Sequence, residues 1–352
     1  MTRRPHAVTI VDVAREAGVS KSSAARVLAG RGSASQATQQ RVHAAAQRLG
    51  YRPNALAKAM ISGSSNTIAV MIPDVASPFF SAVVRGASDA AHAAGFEVLL
   101  GNTDNDRDVQ ARSIEVLREK QVDGFVIAPV FEDEPVSVRS LVDDDIPVVL
   151  LDRRMPALAD VPLVSVDHSS AARMAVEHLL ALGHRRIAIV TEAADSLDAL
   201  RAQDPTVLRP SHQRLLGYAD ALAAHGIERD PALIIPSAYD ADAASRAVAD
   251  ALGRVPFTAL LCTDSVLTLG AYRHVASAGI DVPDAFSFIG IDDQEWTTLV
   301  RPSITVVDQP RYRLGAATMN MLIAQIRDVA EVPTNLVLDA ELIARASTSA
   351  PR

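Results

Sequence analysis

Ten short apolar segments, rich in β-branched residues, recur between positions 67 and 307, separated by stretches with helical spacing. They are Thr67–Ile72, Glu97–Gly101, Gly124–Ala128, Pro147–Leu151, Val164–Val166, Arg186–Val190, Ala232–Ile235, Ala259–Thr263, Ser287–Ile291 and Ile304–Val307. Continuously apolar strands alternating with amphipathic helices predict parallel sheets covered on both faces. Ten strands are many for one open twisted sheet, so two doubly wound lobes are expected. Ligands of such lobes sit beyond the carboxyl ends of the strands. There the chain places Asp74, Asp152, Asp167, the pair Thr263-Asp264 and the pair Asp292-Asp293. An aspartate in that position usually caps the next helix. The pattern therefore predicts mostly caps, with a few carboxylates left to build a cleft.

At 352 residues and 49% hydrophobic content the chain can bury more than one core. A lone cysteine, Cys262, excludes an internal disulfide and fits a reducing compartment. Apolar runs such as Ile146–Leu151 are strand length, too short to span a bilayer. Met1–His6 leads straight into the first helical pattern, so no secretory signal is expected and the cytoplasm is the expected location. Enzyme motifs are missing: there is no GxSxG elbow, no P-loop and no cysteine pair for a metal. His178 and His184 are six apart, which suits neither metal spacing on one helix face, and Asp143-Asp144-Asp145 reads as a solvated turn. Neither catalysis nor a cofactor is expected.

Net charge is −8, which by itself argues against a nucleic-acid partner. The average conceals a split. Residues 1–60 carry ten basic side chains against two acidic ones, Asp12 and Glu16, so this segment is +8 and the remainder −16. A small basic module on a large acidic body is the footprint expected of phosphate binding.

Within the basic module, Thr9–Leu28 (TIVDVAREAGVSKSSAARVL) reads as two short helices joined by a glycine turn. Thr9 caps the first, with Asp12 in the capping-box position. Val13 and Ala17 face inward, and small Ala14 lets a second helix approach. Gly18 supplies a left-handed turn, Val19 plugs the corner and Ser20 caps the second helix. Val27 and Leu28 return to the core, leaving Lys21, Ser22, Ser23 and Arg26 outward. Two readings stand: a helical hairpin of any α/β protein, or a helix-turn-helix whose second helix enters a major groove. The charge split favours the second. A third helix fits Ser35–Leu49 with Gly50 as its stop. Asn54–Met60 is a short run of helix formers, too short to hold a helix alone. It is either a plain linker or a hinge that orders against a dimer mate and a minor groove.

In order along the chain stand VDVAREAGVSKSSAARVL, TQQRVHAAAQRLGYRPNALAKAM, PDVASPFF, VDGFVIAP, IPVVLLDRR, LALGHRRIAIV, RLLGYADAL and IGIDDQEW…RPSITVVDQP. This ordered set resembles the lactose/galactose repressor (LacI/GalR) family of bacterial transcription regulators over nearly the whole chain. The resemblance implies an α/β protein with an N-terminal helix-turn-helix headpiece and a two-lobed periplasmic-binding-protein-like core of doubly wound parallel sheets. It places the headpiece at 1–53, hinge and linker at 54–65, and the core at 66–352. Three crossings, expected near Val164, Asp292 and Asp328, make lobe 1 about 66–164 with 293–327, and lobe 2 about 165–292 with 328–346.

Mapped by that resemblance, Lys21, Ser22 and Arg26 read bases, Arg26 being suited to a guanine edge. Ser20, Ser23, Ser35, Thr38 and Tyr51 fall at phosphate contacts, and Asn54, Ala57, Lys58 and Met60 at hinge contacts. Met60 replaces the usual leucine wedge. Ser23-Ala24-Ala25-Arg26 stands for the family's Thr-Val-Ser-Arg, so core volume and one hydroxyl are lost. The effector cleft maps to Phe79, Phe80, Asp152, Arg214, Tyr239, Thr263, Asp264, Asp292 and Gln309. Arg214 and Asp292 suit vicinal hydroxyls, and an aromatic face suits sugar C–H groups. Phe79 and Phe80 also fit an ordinary core, and Arg214 also fits a structural ion pair. Thr263 replaces the usual asparagine, and a polar insertion spans about 193–210 at the cleft mouth. The implied partners are pseudo-palindromic operator DNA, a sugar-like metabolite and a second copy of the chain. No leucine-heptad tail follows the core, so dimers rather than tetramers are expected. Two rival readings remain: a regulator controlled by a protein partner, and a sugar receptor without DNA function.

Overall fold

The computed structural model describes residues 8–28, 34–51, 64–130, 135–193, 197–203, 208–329 and 333–352. The chain divides into two compact units, residues 1–66 and 67–352. The hinge residues Asn54, Ala57, Lys58 and Met60 lie outside the described residues.

The first unit holds α1 (Ile10–Ala17), α2 (Lys21–Leu28) and α3 (Gln36–Leu49). Asp12 Oδ2 accepts from the Thr9 N–H at 2.9 Å and from its hydroxyl at 2.7 Å, fixing the start of α1. Gly18 ends α1 at φ 65°, and its N–H donates to the carbonyls of Ala14 and Arg15. Val13, Ala14 and Ala17 of α1, Ala24 and Val27 of α2, and Val42, Ala45 and Ala46 of α3 make one small core. Alanines at five of these eight positions let three short helices approach closely.

The second unit contains two six-stranded sheets. Lobe 1 carries β1 (Thr67–Ile72), β2 (Glu97–Asn102), β3 (Gly124–Ile127), β4 (Val148–Leu151) and β5 (Leu163–Val166). Lobe 2 carries β6 (Ile187–Thr191), β7 (Ile234–Pro236), β8 (Ala259–Cys262), β9 (Ser287–Ile291) and β10 (Thr305–Asp308). Two further strands, β11 (Asn335–Leu338) and β12 (Glu341–Ile343), complete the edges of lobes 1 and 2 respectively. The orders β11-β5-β4-β3-β1-β2 and β12-β10-β9-β8-β6-β7 correspond strand for strand, so the lobes share one topology. Pairing is parallel except for β12 against β10. Buried residues on both faces of each sheet form the four main cores.

Helices that matter for the cleft are α4 (Pro78–Ala93) in lobe 1, then α7 (His168–Ala181), α9 (Pro210–Ala224) and α11 (Ser265–Ser277) in lobe 2. The intervening α5 (Arg107–Glu119), α6 (Val136–Asp143), α8 (Leu197–Arg201) and α10 (Ala241–Leu252) cover the sheets. After the short α12 (Glu295–Leu299), α13 (Arg311–Ile326) packs against α4. None of the described helices is long and apolar enough to cross a membrane.

All ten strand expectations correspond to observed strands, but two of the three crossings move. The chain lays β10 beside β9 before leaving lobe 2, so the second crossing lies at Gln309–Pro310 rather than near Asp292. It then adds β11 to lobe 1 beside β5, so the third lies at Asp339–Ala340 rather than near Asp328. Lobe 2 thus keeps 293–308 and lobe 1 keeps 328–338. The physical reason is apolar: Val306 and Val307 are fully buried in lobe 2, whereas Leu314, Met319 and Leu322 of α13 join the core of lobe 1.

Glycines set how closely α4 and α13 meet. A Cβ on Gly86 would stand 2.0 Å from the Tyr312 carbonyl oxygen, and one on Gly315 would stand 1.9 Å from that of Val83. The obstacles are backbone, which cannot rotate aside. Gly86→Ala is therefore expected to cost about 1–3 kcal/mol, read as a lower urea midpoint of the core. An unchanged midpoint would contradict this packing.

Candidate functional site

The cleft is built where strand ends of both lobes converge. Asp74 follows β1, Asp104 and Asn105 follow β2, Val130 follows β3, and Asp152 and Arg153 follow β4. From lobe 2 come Glu192 after β6, Tyr239 after β7, Asp264 and Ser265 after β8, Asp292 after β9 and Gln309 after β10. Phe79 and Phe80 enter from α4, and Ser211, His212 and Arg214 from α9. Together they enclose about 450 Å³. This is the placement that doubly wound sheets impose on their ligands.

Of the six post-strand aspartates, only Asp167 and Asp264 cap a helix, fewer than the pattern predicts. Asp264 accepts from the Val266 and Leu267 N–H groups at 2.8 Å, and Asp167 from the Ser170 N–H at 2.8 Å. Asp152 and Asp292 behave differently. Both adopt left-handed backbone, φ 64° and 73°, and each N–H donates back to the neighbouring strand, at Val164 and Val307. Those turns at equivalent places in the two lobes aim both carboxylates into the cleft. Left-handed conformation is uncommon outside glycine but tolerated by aspartate.

Eight of the nine expected effector residues line the cavity. The exception is Thr263, which is fully buried at the end of β8 with its hydroxyl unpartnered, while Ser265 forms the wall instead. Phe79 and Phe80 stack edge to face at 5.0 Å and serve both core and wall. Arg153 lies over the Phe80 ring at 5.8 Å and donates to Asn105 Oδ1 at 2.8 Å. The Tyr239 and Ser77 hydroxyls meet across the cleft mouth at 3.3 Å. Arg153, Glu192, Ser211 and Ser265 were not foreseen; Glu192 directly follows β6, as the noted aspartates follow their strands, and Arg153 comes after Asp152. Of the polar insertion, Leu197–Arg201 is helical and residues 194–196 and 204–207 lie outside the described residues.

The walls differ electrically. In lobe 2, burial pushes the Asp264 carboxyl up to about 7, with the charges of Glu192 and Asp292 adding to the effect. Burial also raises Glu192, against the opposing pull of Arg153, Arg214 and Arg209. Asp292 is raised by burial too, despite Arg311, Gln309 and Arg214. In lobe 1, burial opposes ionisation of Asp152, yet the hydrogen bond from His168 and the guanidinia of Arg214 and Arg153 hold the carboxyl below its usual range. Carboxyl groups inclined to hold a proton thus dominate the lobe 2 wall, able both to donate and to accept. Arg214 adds a buried Nε–H that has no hydrogen-bond partner among the described residues. Such a wall takes hydroxyl donors, and the guanidinia take their oxygens.

In the other unit, Lys21, Ser22 and Arg26 lie exposed on one face of α2. Ser20 accepts from the Ser23 N–H at 3.1 Å, and its hydroxyl bonds those of Ser22 and Ser23 at 2.9 Å. Ser35 caps α3 by accepting from the Thr38 N–H at 3.3 Å, and the two hydroxyls meet at 3.0 Å. Tyr51 is half-buried against the small core. Ala24, where the resemblance leads one to expect valine, is fully buried.

A three-helix module with a basic exposed helix, and a two-lobed fold with a polar interlobe cavity, define a ligand-binding regulator of helix-turn-helix type. Residues 9–54 match the model of bacterial regulatory proteins of the lacI family. Residues 65–346 match that of periplasmic binding proteins and the sugar binding domain of the LacI family. The chain is 32% identical to the HTH-type transcriptional repressor CytR of Escherichia coli K12, covering 98% of this chain and 97% of that protein. It superimposes on a lac repressor dimer bound to operator and the anti-inducer ONPF with a TM-score of 0.84 at 25% identity, over 98% of this chain and 100% of the other. A complex of the transcriptional regulator CelR with cellobiose gives 0.71 at 28% identity, over 98% and 100%. The chain belongs to the LacI family of bacterial regulatory proteins. It is a DNA-binding transcriptional regulator and not an enzyme.

Asp264 supplies a pH test of the cleft. Its carboxyl rises from 3.8 to about 7 on folding, so across that window the folded chain holds a proton the unfolded chain has released. Stability from this group is full below the lower value and is lost as pH rises through the upper one. Asp264→Asn keeps the cap acceptor. It is expected to gain on the order of 2–4 kcal/mol relative to wild type between about pH 4 and 7.5, measured by urea titration of the core. Parallel pH profiles for the two proteins would contradict the assignment.

Proposed function

We propose that this chain is a homodimeric repressor whose grip on a pseudo-palindromic operator is set by a polyhydroxyl metabolite, a sugar or a relative of one, held between the lobes. The observation that carries this reading is the interlobe cavity of about 450 Å³, with carboxylates, guanidinia and two phenyl rings in one wall system. Its size suits a ligand larger than a single hexose, such as a disaccharide or nucleoside. Cellobiose in the CelR complex is a ligand of that size. Tyr239 and Ser77 meet across the mouth, so filling the cavity changes how the lobes close.

On the DNA side, two copies of α2 enter successive major grooves, about one helical turn or a multiple apart. Arg26 and Lys21 read base edges with Ser22. Ser20, Ser23, Ser35, Thr38 and Tyr51 position the phosphates, and Asn54, Ala57, Lys58 and Met60 engage the minor groove at the hinge. The dimer bound to operator in the lac repressor complex is the arrangement this reading transfers. Since its target is chromosomal DNA, the chain works in the cytoplasm. Ligand coupling of this kind is worth about 1–3 kcal/mol.

Two measurements test the residue assignments. In a gel shift with an operator selected from random duplexes, Arg26→Ala is expected to lose about 1–3 kcal/mol of specific binding; undiminished binding removes Arg26 from the reading set. In calorimetry against ribose, cellobiose and adenosine, Asp292→Ala is expected to lose the compound that wild type binds. Survival of that binding would refute the cleft assignment.

A further inference from the structure

Along the cleft wall, five buried side chains form one continuous hydrogen-bonded run. Asp152 Oδ1 meets His168 Nε2 at 2.9 Å, and His168 Nδ1 meets an Arg214 terminal nitrogen at 3.0 Å. The same nitrogen donates to Gln309 Oε1 at 3.2 Å, and Gln309 Nε2 donates to Asp292 Oδ1 at 2.7 Å. Asp152 belongs to lobe 1; Arg214 and Asp292 belong to lobe 2. His168 and Gln309 stand on the first and second crossings between them. Four of the five line the cavity. His168, 1% exposed, does not.

We propose that His168 is a positioning residue for the effector, aligning Asp152 of one lobe with Arg214 of the other so that both present fixed polar edges to the cleft. The bonding chemistry allows one arrangement. A guanidinium has only donors, so Nδ1 must accept. An ionised carboxylate has only acceptors, so Nε2 must carry the proton. The ring is therefore neutral and in a single tautomer, and both of its nitrogens are spent within the protein. What remains for a ligand includes Asp152 Oδ2 and the Arg214 Nε–H, which is buried with no hydrogen-bond partner among the described residues. Without the ring, an acceptor on lobe 1 and a donor on lobe 2 lose the link that sets their spacing. Buried polar networks of this kind hold position only when every member is satisfied.

This inference rests on the cleft reading, so its test separates the two. In the full-length protein, His168→Ala is expected to weaken the binding of whichever of ribose, cellobiose and adenosine wild type takes up by about tenfold or more. His168→Gln, which carries a donor and an acceptor flanking one carbon as the imidazole does, is expected to recover wild-type affinity to within about threefold. Far-ultraviolet circular dichroism checks that both variants are folded. Imidazole nitrogen NMR of the unliganded protein, assigned by the signal missing from His168→Gln, is expected to show a protonated Nε2 and a bare Nδ1 at neutral pH. Full affinity in His168→Ala, no recovery in folded His168→Gln, or the opposite or a charged tautomer would overturn the proposal. If none of the three compounds binds, the cleft reading fails for them, and the ring signal alone decides whether the bridge exists.

Discussion

Taking charged and polar side chains out of water is the constraint on which the interlobe arrangement depends. Asp152, His168, Arg214, Gln309 and Asp292 are each at most 7% exposed. A buried ion without partners is costly enough to unfold a domain of ordinary stability. Satisfying all five requires both lobes and both of the first two crossings to be in place together. The apolar cores settle each lobe internally; this polar run settles how the ends of their strands face one another. It also leaves unspent donor and acceptor edges where a ligand with hydroxyl groups would meet them.

Shared topology explains why such a site exists at all. Each lobe ends its fourth strand in an aspartate with left-handed backbone, and each aspartate N–H returns to the neighbouring strand. The same local turn, used twice, supplies two carboxylates that face one cavity from opposite sides. Their surroundings then separate them. Asp152 is matched by an imidazole and two guanidinia, whereas burial prevails at Asp292. The cleft is consequently asymmetric in charge although the lobes are alike in fold.

Much of this was legible in the residues because the signals are local. Strand runs such as Thr67–Ile72, the glycine turn at Gly18 and the serine cap at Ser35 each depend on a few neighbouring positions, and all appear as expected. The second and third crossings were not; nothing in the IDDQ segment around Asp292, for example, says that a further strand follows in the same lobe. β11 and β12 were missed because they are short edge strands with half-exposed faces, which lack a continuous apolar run. In the cleft, the aspartates drew notice for their place after strands, while Glu192 and Arg153 hold equivalent places unnoticed. His168, the residue after Asp167, drew no notice at all. Its role depends on Asp152 and Arg214, sixteen and forty-six positions away, a relation that no short window contains.

Occupancy of the interlobe cavity and grip on a duplex are linked in one molecule. The most direct measurement is fluorescence anisotropy of a labelled operator, bound by the full-length protein at fixed salt, with and without a saturating cavity ligand. The dissociation constant is expected to move about fivefold or more in one direction, and the operator to shift ligand affinity by the same factor. Identical operator affinity with the cavity shown by calorimetry to be filled would contradict it.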